Sequence, residues 1–217
     1  MRVLALDTAL GRVAACVLDE AAEEPLAQES LELERGHAEA LIPLLDRVVG
    51  RVEGGLAGIG RVAVTVGPGS FTGIRVGIAA AKAIALARNV PVVGVSTLSA
   101  FAAPLILAGL DGVVAAAMPA RGRQVFLAAF AQGGRPLFEP RVTDPHGARR
   151  SLGEGPLHLI GPAAGALCDD ALRDPAVSTC MVASLPDMAF VARLGLVADP
   201  RTAPPAPLYI AAPYAAA

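Results

Sequence analysis

The stretch RVAVTVGPGSFTGIRVGIAAAKAIALA, residues 61–87, decides the fold because it changes from strand-like to helix-like sequence across a glycine-rich turn. Arg61–Val66 is an apolar, β-branched run, which predicts a buried strand. Gly67–Phe71 is rich in turn-forming residues, and the alanine-rich segment Thr72–Ala87 predicts a helix. Together these segments predict one strand–turn–helix unit of an α/β protein.

The residues before this unit predict an antiparallel meander and a helix. Arg2–Leu6, Arg12–Leu18 and Leu26–Leu33 are three β-type runs with short breaks between them. From Gly36 the apolar residues recur at helical spacing, which predicts an amphipathic helix over Ala38–Val52. Pro43 predicts a kink in this helix because proline removes a backbone donor.

The residues after this unit continue the alternation of strand and helix. Val90–Val95 predicts the next strand, and Ser96–Leu107 the next helix. The predicted order βββαβαβα, with parallel crossovers in its later part, matches the ribonuclease H-like fold and the actin-like ATPases. We therefore expect an α/β fold with mixed sheets flanked by helices.

The second half predicts fewer elements. Strands are expected over Gly112–Met118, Gln124–Phe130 and Leu157–Ile160, and a helix over Pro186–Val197. Gly133–Pro156 predicts a long loop with little regular structure. The tail from Asp199 to Ala217 contains five prolines and is expected to run extended over the surface. We expect two lobes, residues 1–104 and 105–217.

Composition excludes several classes of protein. The chain has 217 residues, of which 54% are hydrophobic, so it is not disordered. A net charge of -2 and an aromatic content of 4%, without tryptophan, disfavour a free-standing nucleic-acid binder. Val90–Leu110 carries no charge, but its Gly, Ser, Thr and Pro residues favour a strand and a helix over a membrane span. We expect a cytoplasmic protein without a signal peptide.

The three cysteines show no metal-ligand or disulfide pattern. Cys16, Cys168 and Cys180 are an odd number without CxxC or Cys/His spacing. This spacing argues against a disulfide framework and against a zinc site. We expect all three cysteines to be small buried hydrophobic residues.

Asp7 ends the first predicted strand and is the most chemically suggestive acid. A nuclease would need several converging carboxylates there, which the neighbouring strand does not supply. An actin-like ATPase or kinase would place Asp7 and Thr8 against a nucleotide. The alternative is an aspartate whose carboxylate accepts backbone N–H groups of its own turn. Both interpretations of Asp7 stay open on the sequence.

Three glycines form a stripe at helical spacing. Gly69, Gly73 and Gly77 recur every four residues, although Gly77 inside a helix costs about 1 kcal/mol relative to Ala. The surrounding loop lacks the Lys-Ser/Thr pair of a nucleotide-binding P-loop. A glycine stripe lets another backbone approach closely, either a partner's helix or the chain's own sheet. The sequence favours neither.

Four segments resemble a known family. They are LALDTA (4–9), RGHAEALIPLLD (35–46), VGPGSFTGIRVGIAAAKAIA (66–85) and PVVGVSTLSA (91–100). These segments look like TsaB, also called YeaZ, the family of dimerization subunits in the bacterial tRNA threonylcarbamoyladenosine (t6A) biosynthesis complex. The resemblance implies a two-lobed actin-like (ASKHA) fold related to the M22 glycoprotease group.

The resemblance also implies a function without catalytic residues or metal ligands. A TsaB-like chain binds and activates a TsaD-type transferase, with a TsaE-type ATPase in the complex, and forms a homodimer when alone. It binds no cofactor, nucleic acid or membrane by itself, while the complex binds ATP and metal. The partner-binding residues implied on the first two helices and the glycine stripe are Leu41, Leu45, Val48, Gly69, Thr72, Gly73, Arg75, Val76, Gly77 and Ala80. The alternative is an autonomous actin-like ATPase or small-molecule kinase using Asp7 and Thr8.

Overall fold

A computed structural model describes residues 1–169 and 177–210 of the chain. Contacts divide the chain into two units, of which the first contains Met1–Thr97 and Asp187–Leu208 and the second contains Leu98–Pro186. The expected division at residue 104 is therefore wrong. The chain returns to the first unit at Asp187, so the last helix packs with the N-terminal sheet.

The first unit is built on a five-stranded mixed sheet. Its strands are β1 (Arg2–Asp7), β2 (Arg12–Asp19), β3 (Ala27–Glu32), β4 (Arg61–Gly67) and β5 (Val92–Ser96), in the order β3-β2-β1-β4-β5. The first three strands pair antiparallel, while β4 pairs parallel with β1 and with β5. The meander and the parallel crossovers predicted from the sequence are thus confirmed.

Helices cover both faces of this sheet. The α-helices among the described residues are α1 (His37–Gly50), α2 (Phe71–Arg88), α3 (Thr97–Leu107), α4 (Pro145–Ser151), α5 (Ala164–Asp169) and α6 (Met188–Val197). Leu4 and Leu6 share one core with α1 and α2. Gly195 of α6 packs against Val3 and Ala63, which point the other way because side chains alternate along a strand. The sheet therefore lies between the α1–α2 pair and α6.

The second unit has its own five-stranded sheet. Its strands are β6 (Val113–Pro119), β7 (Val125–Phe130), β8 (Arg141–Thr143), β9 (Leu157–Ile160) and β10 (Val177–Met181), in the order β10-β9-β6-β7-β8. The strands expected near β6, β7 and β9 are confirmed, as is the helix near α6.

The expected long loop over Gly133–Pro156 is wrong, because this segment contains β8 and α4. The carboxylate of Asp144 accepts a hydrogen bond of 2.8 Å from Gly147 N and caps α4, and Pro145 follows in the first turn. Burial of Ala148 and Leu152 fixes the helix on the sheet. A capping aspartate followed by proline is a helix-start signal that the high content of glycine, proline and arginine concealed.

The expectation for the cysteines is confirmed for one residue and wrong for the other two. Cys16 is buried on β2, but Cys168 and Cys180 form a disulfide. These two residues lie on α5 and β10, and the fold brings their Cα atoms to 6.7 Å although the spacing along the chain shows no pattern. The pairing therefore comes from tertiary structure.

The C-terminal tail is hydrogen-bonded to β5 and to the end of β4 in the first sheet. Gly94 N donates a hydrogen bond of 2.9 Å to Ala203 O, and Leu208 N donates one of 2.8 Å to Val66 O. Residues 199–210 contain no helix or strand, and the rest of the tail lies outside the described residues.

Val90–Leu110 is divided between β5 and α3, and no described helix is long and apolar enough to cross a membrane.

Candidate functional site

Asp7 is fully buried at the end of β1 and bonded by its own chain. Its Oδ1 accepts hydrogen bonds from Ala9 N at 3.0 Å and from the Thr65 hydroxyl at 2.7 Å. Its Oδ2 accepts from Arg12 Nε at 2.9 Å, which forms a buried ion pair. The carboxylate thus binds its own turn and two neighbouring strands. The prediction that Asp7 faces a nucleotide is wrong, and the alternative of a local turn is confirmed.

Thr8 is also turned inward. Its side chain is buried, and the hydroxyl donates a hydrogen bond of 2.7 Å to Gly73 O in the first turn of α2. The hydroxyl therefore joins the β1–β2 turn to α2. The prediction that Thr8 faces a nucleotide is wrong because that hydroxyl is enclosed by the chain's own helix.

The glycine stripe packs against the same turn. A Cβ atom at Gly69 would overlap Ala9 O, one at Gly73 would overlap Thr8 O, and one at Gly77 would overlap the Thr8 hydroxyl. The stripe is needed because the β1–β2 turn lies directly on the start of α2. The prediction that it meets a partner helix is therefore wrong, and packing within the chain is correct.

Two backbone donors of the glycine-rich loop and the start of α2 are bonded within the chain. Ser70 N donates a hydrogen bond of 2.7 Å to Ala9 O, and the Ser70 hydroxyl accepts one of 3.2 Å from Gly73 N. Ser70 is therefore the N-cap of α2. These donors hold the loop on the β1–β2 turn. An anion-binding loop would instead present its N–H groups outward.

Three predicted partner residues on α1 lie in the core. Leu41, Leu45 and Val48 are 1%, 5% and 0% exposed and pack with the strands of the first sheet. Their assignment to a partner surface is wrong for the structure described. The apolar stripe that made them conspicuous is the face that the helix buries against its own sheet.

The remaining predicted partner residues lie on the outer side of α2. Thr72 and Arg75 are exposed, and Val76 and Ala80 are half-buried. The guanidinium of Arg75 lies 3.7 Å from the centroid of the Phe71 ring. These four residues are placed where another molecule can reach them.

Sequence reasoning did not single out other exposed apolar residues of α1 and α2. Ile42 on α1 is 60% exposed, and Pro43 next to it is exposed as well. Ala79 and Ala83 are exposed on α2, and α1 and α2 contact each other. We call Ile42, Pro43, Thr72, Arg75, Val76, Ala79, Ala80 and Ala83 the outer helix face. The available signal was an isoleucine that falls outside the buried stripe of an amphipathic helix.

An ion-pair cluster ties α1 to the edge strand β3. Glu29 Oε1 accepts hydrogen bonds from Arg47 at 2.9 and 2.6 Å, and Oε2 accepts one from Arg51 at 2.9 Å. The hydrogen bond from Arg47 is the main cause that lowers the pKa of Glu29 below its usual value. The cluster holds the exposed side of α1 in register with the sheet.

The histidines and acids do not assemble into a metal centre in the described part of the chain, where no group of three or more His, Cys, Asp or Glu side chains could hold an ion. His37 Nε2 lies 3.1 Å from Leu10 O at the start of α1. His158 bridges the Thr179 hydroxyl and Asp111 O at 3.0 and 2.9 Å. These two rings join neighbouring segments of their own units.

Comparison with known proteins agrees with this architecture. The sequence profile of the family described as "TsaD: tRNA N6-adenosine threonylcarbamoyltransferase" matches residues 31–140. The structure of YeaZ from Pseudomonas aeruginosa superposes with a TM-score of 0.75 at 23% identity, covering 96% of this chain and 99% of that one. This likeness shows the fold, an actin-like α/β architecture with two mixed sheets.

Curated relatives share the sequence as well. The "tRNA threonylcarbamoyladenosine biosynthesis protein TsaB" of Escherichia coli K12 is 30% identical over 145 residues, which cover 66% of this chain and 61% of the relative. The TsaB protein of Haemophilus influenzae is 36% identical over 94 residues, or 43% of this chain and 39% of the relative. The chain thus spans about three fifths or less of these relatives. This shared sequence shows that the chain belongs to the TsaB/YeaZ family.

Proposed function

We propose that this chain is a non-catalytic, cytoplasmic subunit that binds and activates a TsaD-type transferase. The reaction of the complex would be threonylcarbamoylation of the adenosine next to the tRNA anticodon. Support for this pathway comes from relatives whose names place them in tRNA threonylcarbamoyladenosine biosynthesis. Support for docking comes from one observation, the outer helix face.

The outer helix face has the properties of a helix-docking surface. Ile42 projects from α1, while Ala79, Ala80 and Ala83 on α2 are small, so a partner helix can approach the backbone closely. The two helices contact each other and lie on one face of a rigid sheet, which prepares them to form a four-helix bundle with a partner pair. Exposed apolar side chains grouped in this way indicate a protein-binding site.

The same face accounts for the proposed partners. Without the transferase, two copies of the chain would cover their outer helix faces by pairing with each other, so the homodimer competes with the complex. A TsaE-type ATPase would join the assembled complex, and ATP and metal would be bound there, as the resemblance to the family implies.

The alternative of an autonomous ATPase or kinase is less well supported. It requires Asp7 and Thr8 to face a nucleotide, but both side chains are buried and bonded within the chain. Calorimetric titration of the isolated protein with ATP and magnesium should give weak or absent binding. Tight binding with turnover would favour the kinase instead.

The docking proposal is tested by placing a charge on the outer helix face. Ile42→Arg should abolish co-elution with the TsaD-type subunit on size exclusion and leave the melting temperature nearly unchanged, because Ile42 lies largely outside the core. Val197→Arg is the matched control, since Val197 is an exposed apolar residue at the end of α6. A complex that survives Ile42→Arg, or is lost equally with Val197→Arg, contradicts docking through this face.

A further inference from the structure

Arginine is concentrated in one part of the second unit. Residues 112–153 contain Arg121, Arg123, Arg135, Arg141, Arg149 and Arg150, against only two acids, Glu139 and Asp144. The whole chain has a net charge of -2, so this region is a local positive excess on a weakly acidic protein. A local excess of this kind can recognise an anionic partner even where the net charge cannot.

The pairing of β7 and β8, together with the turn before β7 and a bridge after it, orders three of these arginines in a row along one side of the sheet. Arg141 pairs with Leu127, and the end of β8 pairs with Val125 at the start of β7. Arg123 therefore lies in the turn at one end of this edge, and Arg141 lies farther along it.

The other end of the row is set by an isolated bridge. Pro136 pairs with Phe130, the last residue of β7, and Arg135 directly precedes it. Because β8 is the last strand of its sheet among the residues that the structure describes, this row follows an edge of that sheet. The six residues of β7 beside this row span about 20 Å, at about 3.3 Å per residue.

The three side chains are exposed and one of them is fixed in orientation. Arg123, Arg135 and Arg141 are all exposed. The guanidinium of Arg141 lies 3.8 Å from the centroid of the Phe138 ring. Stacking of this kind restrains the guanidinium plane while its N–H edges remain available for the paired contacts that arginine makes with phosphate.

One of the two acids in this region is already committed. Asp144 caps α4, and its hydrogen bond from Gly147 N is the main cause that lowers the pKa of its carboxyl group. This carboxylate therefore stabilises the helix start as well as reducing the local positive charge. The edge remains positive on balance.

We propose that Arg123, Arg135 and Arg141, the arginine edge, contact the sugar-phosphate backbone of the tRNA substrate within the assembled complex. The proposal rests on the proposed function, which supplies the RNA. A few phosphate contacts give weak, salt-sensitive binding, so the isolated chain does not need to hold RNA by itself. In the complex the same contacts add to binding by the other subunits, because the RNA is already held nearby.

The test compares two variants of equal charge change in the reconstituted complex. The first is Arg123→Gln/Arg135→Gln/Arg141→Gln. The control is Arg35→Gln/Arg88→Gln/Arg201→Gln, three positions in the first unit outside the outer helix face and outside the Glu29 cluster. Binding of labelled tRNA is followed by fluorescence anisotropy over a range of salt concentrations, and co-elution with the TsaD-type subunit is checked for each variant.

The edge variant should weaken tRNA binding about tenfold at about 0.1 M salt and lower the salt slope by about one for each lost phosphate contact. The control should change both quantities much less. Equal effects of the two variants overturn the proposal, as does unchanged RNA binding with new self-association, because the arginines would then only protect an open strand edge.

Two further outcomes separate this proposal from the proposed function. If the edge variant no longer co-elutes with the TsaD-type subunit, the edge binds an acidic protein surface and the RNA proposal is wrong. If the unaltered chain fails to assemble with that subunit, the proposed function fails and the arginine edge proposal falls with it. Loss of tRNA affinity in the edge variant alone, with assembly intact, supports both.

Discussion

The Thr8 hydroxyl donates a hydrogen bond of 2.7 Å to the Gly73 carbonyl, joining the turn after the first strand to the first turn of α2. In many α/β proteins the turn at the end of such a strand is left open for a ligand. Here the turn is closed onto the helix, and the glycines of α2 make room for it. This contact explains why the glycine stripe packs against the chain's own turn, while the opposite side of α2 stays exposed.

Gly77→Leu is expected to destabilise the protein. Even a Cβ atom at residue 77 would overlap the Thr8 hydroxyl and lie 3.3 Å from Val64 Cγ2. A leucine side chain would therefore overpack the core and lower the free energy of unfolding by about 1–3 kcal/mol. Urea unfolding at matched oligomeric state measures this loss. Gly50→Ala is the control, because no atom lies within 4 Å of a Cβ at that helical position, and it should raise stability by about 0.4–1 kcal/mol. A Gly77→Leu variant as stable as wild type would contradict the packing described.

Asp7→Asn is expected to cost about 3–5 kcal/mol of unfolding free energy, because it breaks the buried ion pair between Asp7 Oδ2 and Arg12 Nε. Thr65→Val removes only one hydrogen bond to the same carboxylate and should cost about 1 kcal/mol. Chemical unfolding of both variants gives the comparison. Similar losses in the two variants would show that the Asp7–Arg12 ion pair contributes no more to stability than the hydrogen bond from Thr65.

Glu29 should make stability depend on pH in the acid range. Hydrogen bonds from Arg47 lower the pKa of Glu29 in the folded chain below its usual value of 4.5. The contribution of Glu29 is therefore complete above pH 4.5 and is lost as the pH falls through the lower folded pKa. Glu29→Gln should flatten this part of the curve of urea midpoint against pH, and Arg47→Gln/Arg51→Gln should flatten it similarly. An unchanged curve in both variants would exclude the Glu29 cluster as a cause of the pH dependence of stability.

The thiols should react in a fixed order. Burial is the main cause that raises the pKa of Cys16 to about 12, and Cys168 is bonded to Cys180, so the native protein should show no reactive thiol at neutral pH. Titration with a thiol reagent should find one thiol after denaturation and three after denaturation with reduction. Two or more thiols in the denatured, unreduced protein would show that the disulfide is not formed.

The amino-acid sequence by itself determined the order of elements, because the period of apolar residues changes clearly from strand to helix along residues 1–107. The meander, the strand–turn–helix unit at Gly67 and the strands near β6, β7 and β9 all follow from local periodicity and turn residues. The family could be named from the same segments, since a run such as GPGSFTGIR is specific without any three-dimensional information.

Only the tertiary structure shows which face of each helix packs against the rest of the chain. The period of α1 identifies a stripe containing Leu41 but not what covers that stripe, and the sheet takes it, leaving Ile42 outside. The spacing of glycines in α2 predicts that another backbone packs closely against this helix. Only the folded turn at Thr8 shows that this backbone is the chain's own. The Cys168–Cys180 pair and the return of α6 to the first sheet likewise depend on contacts between segments distant in sequence, which local periodicity does not encode.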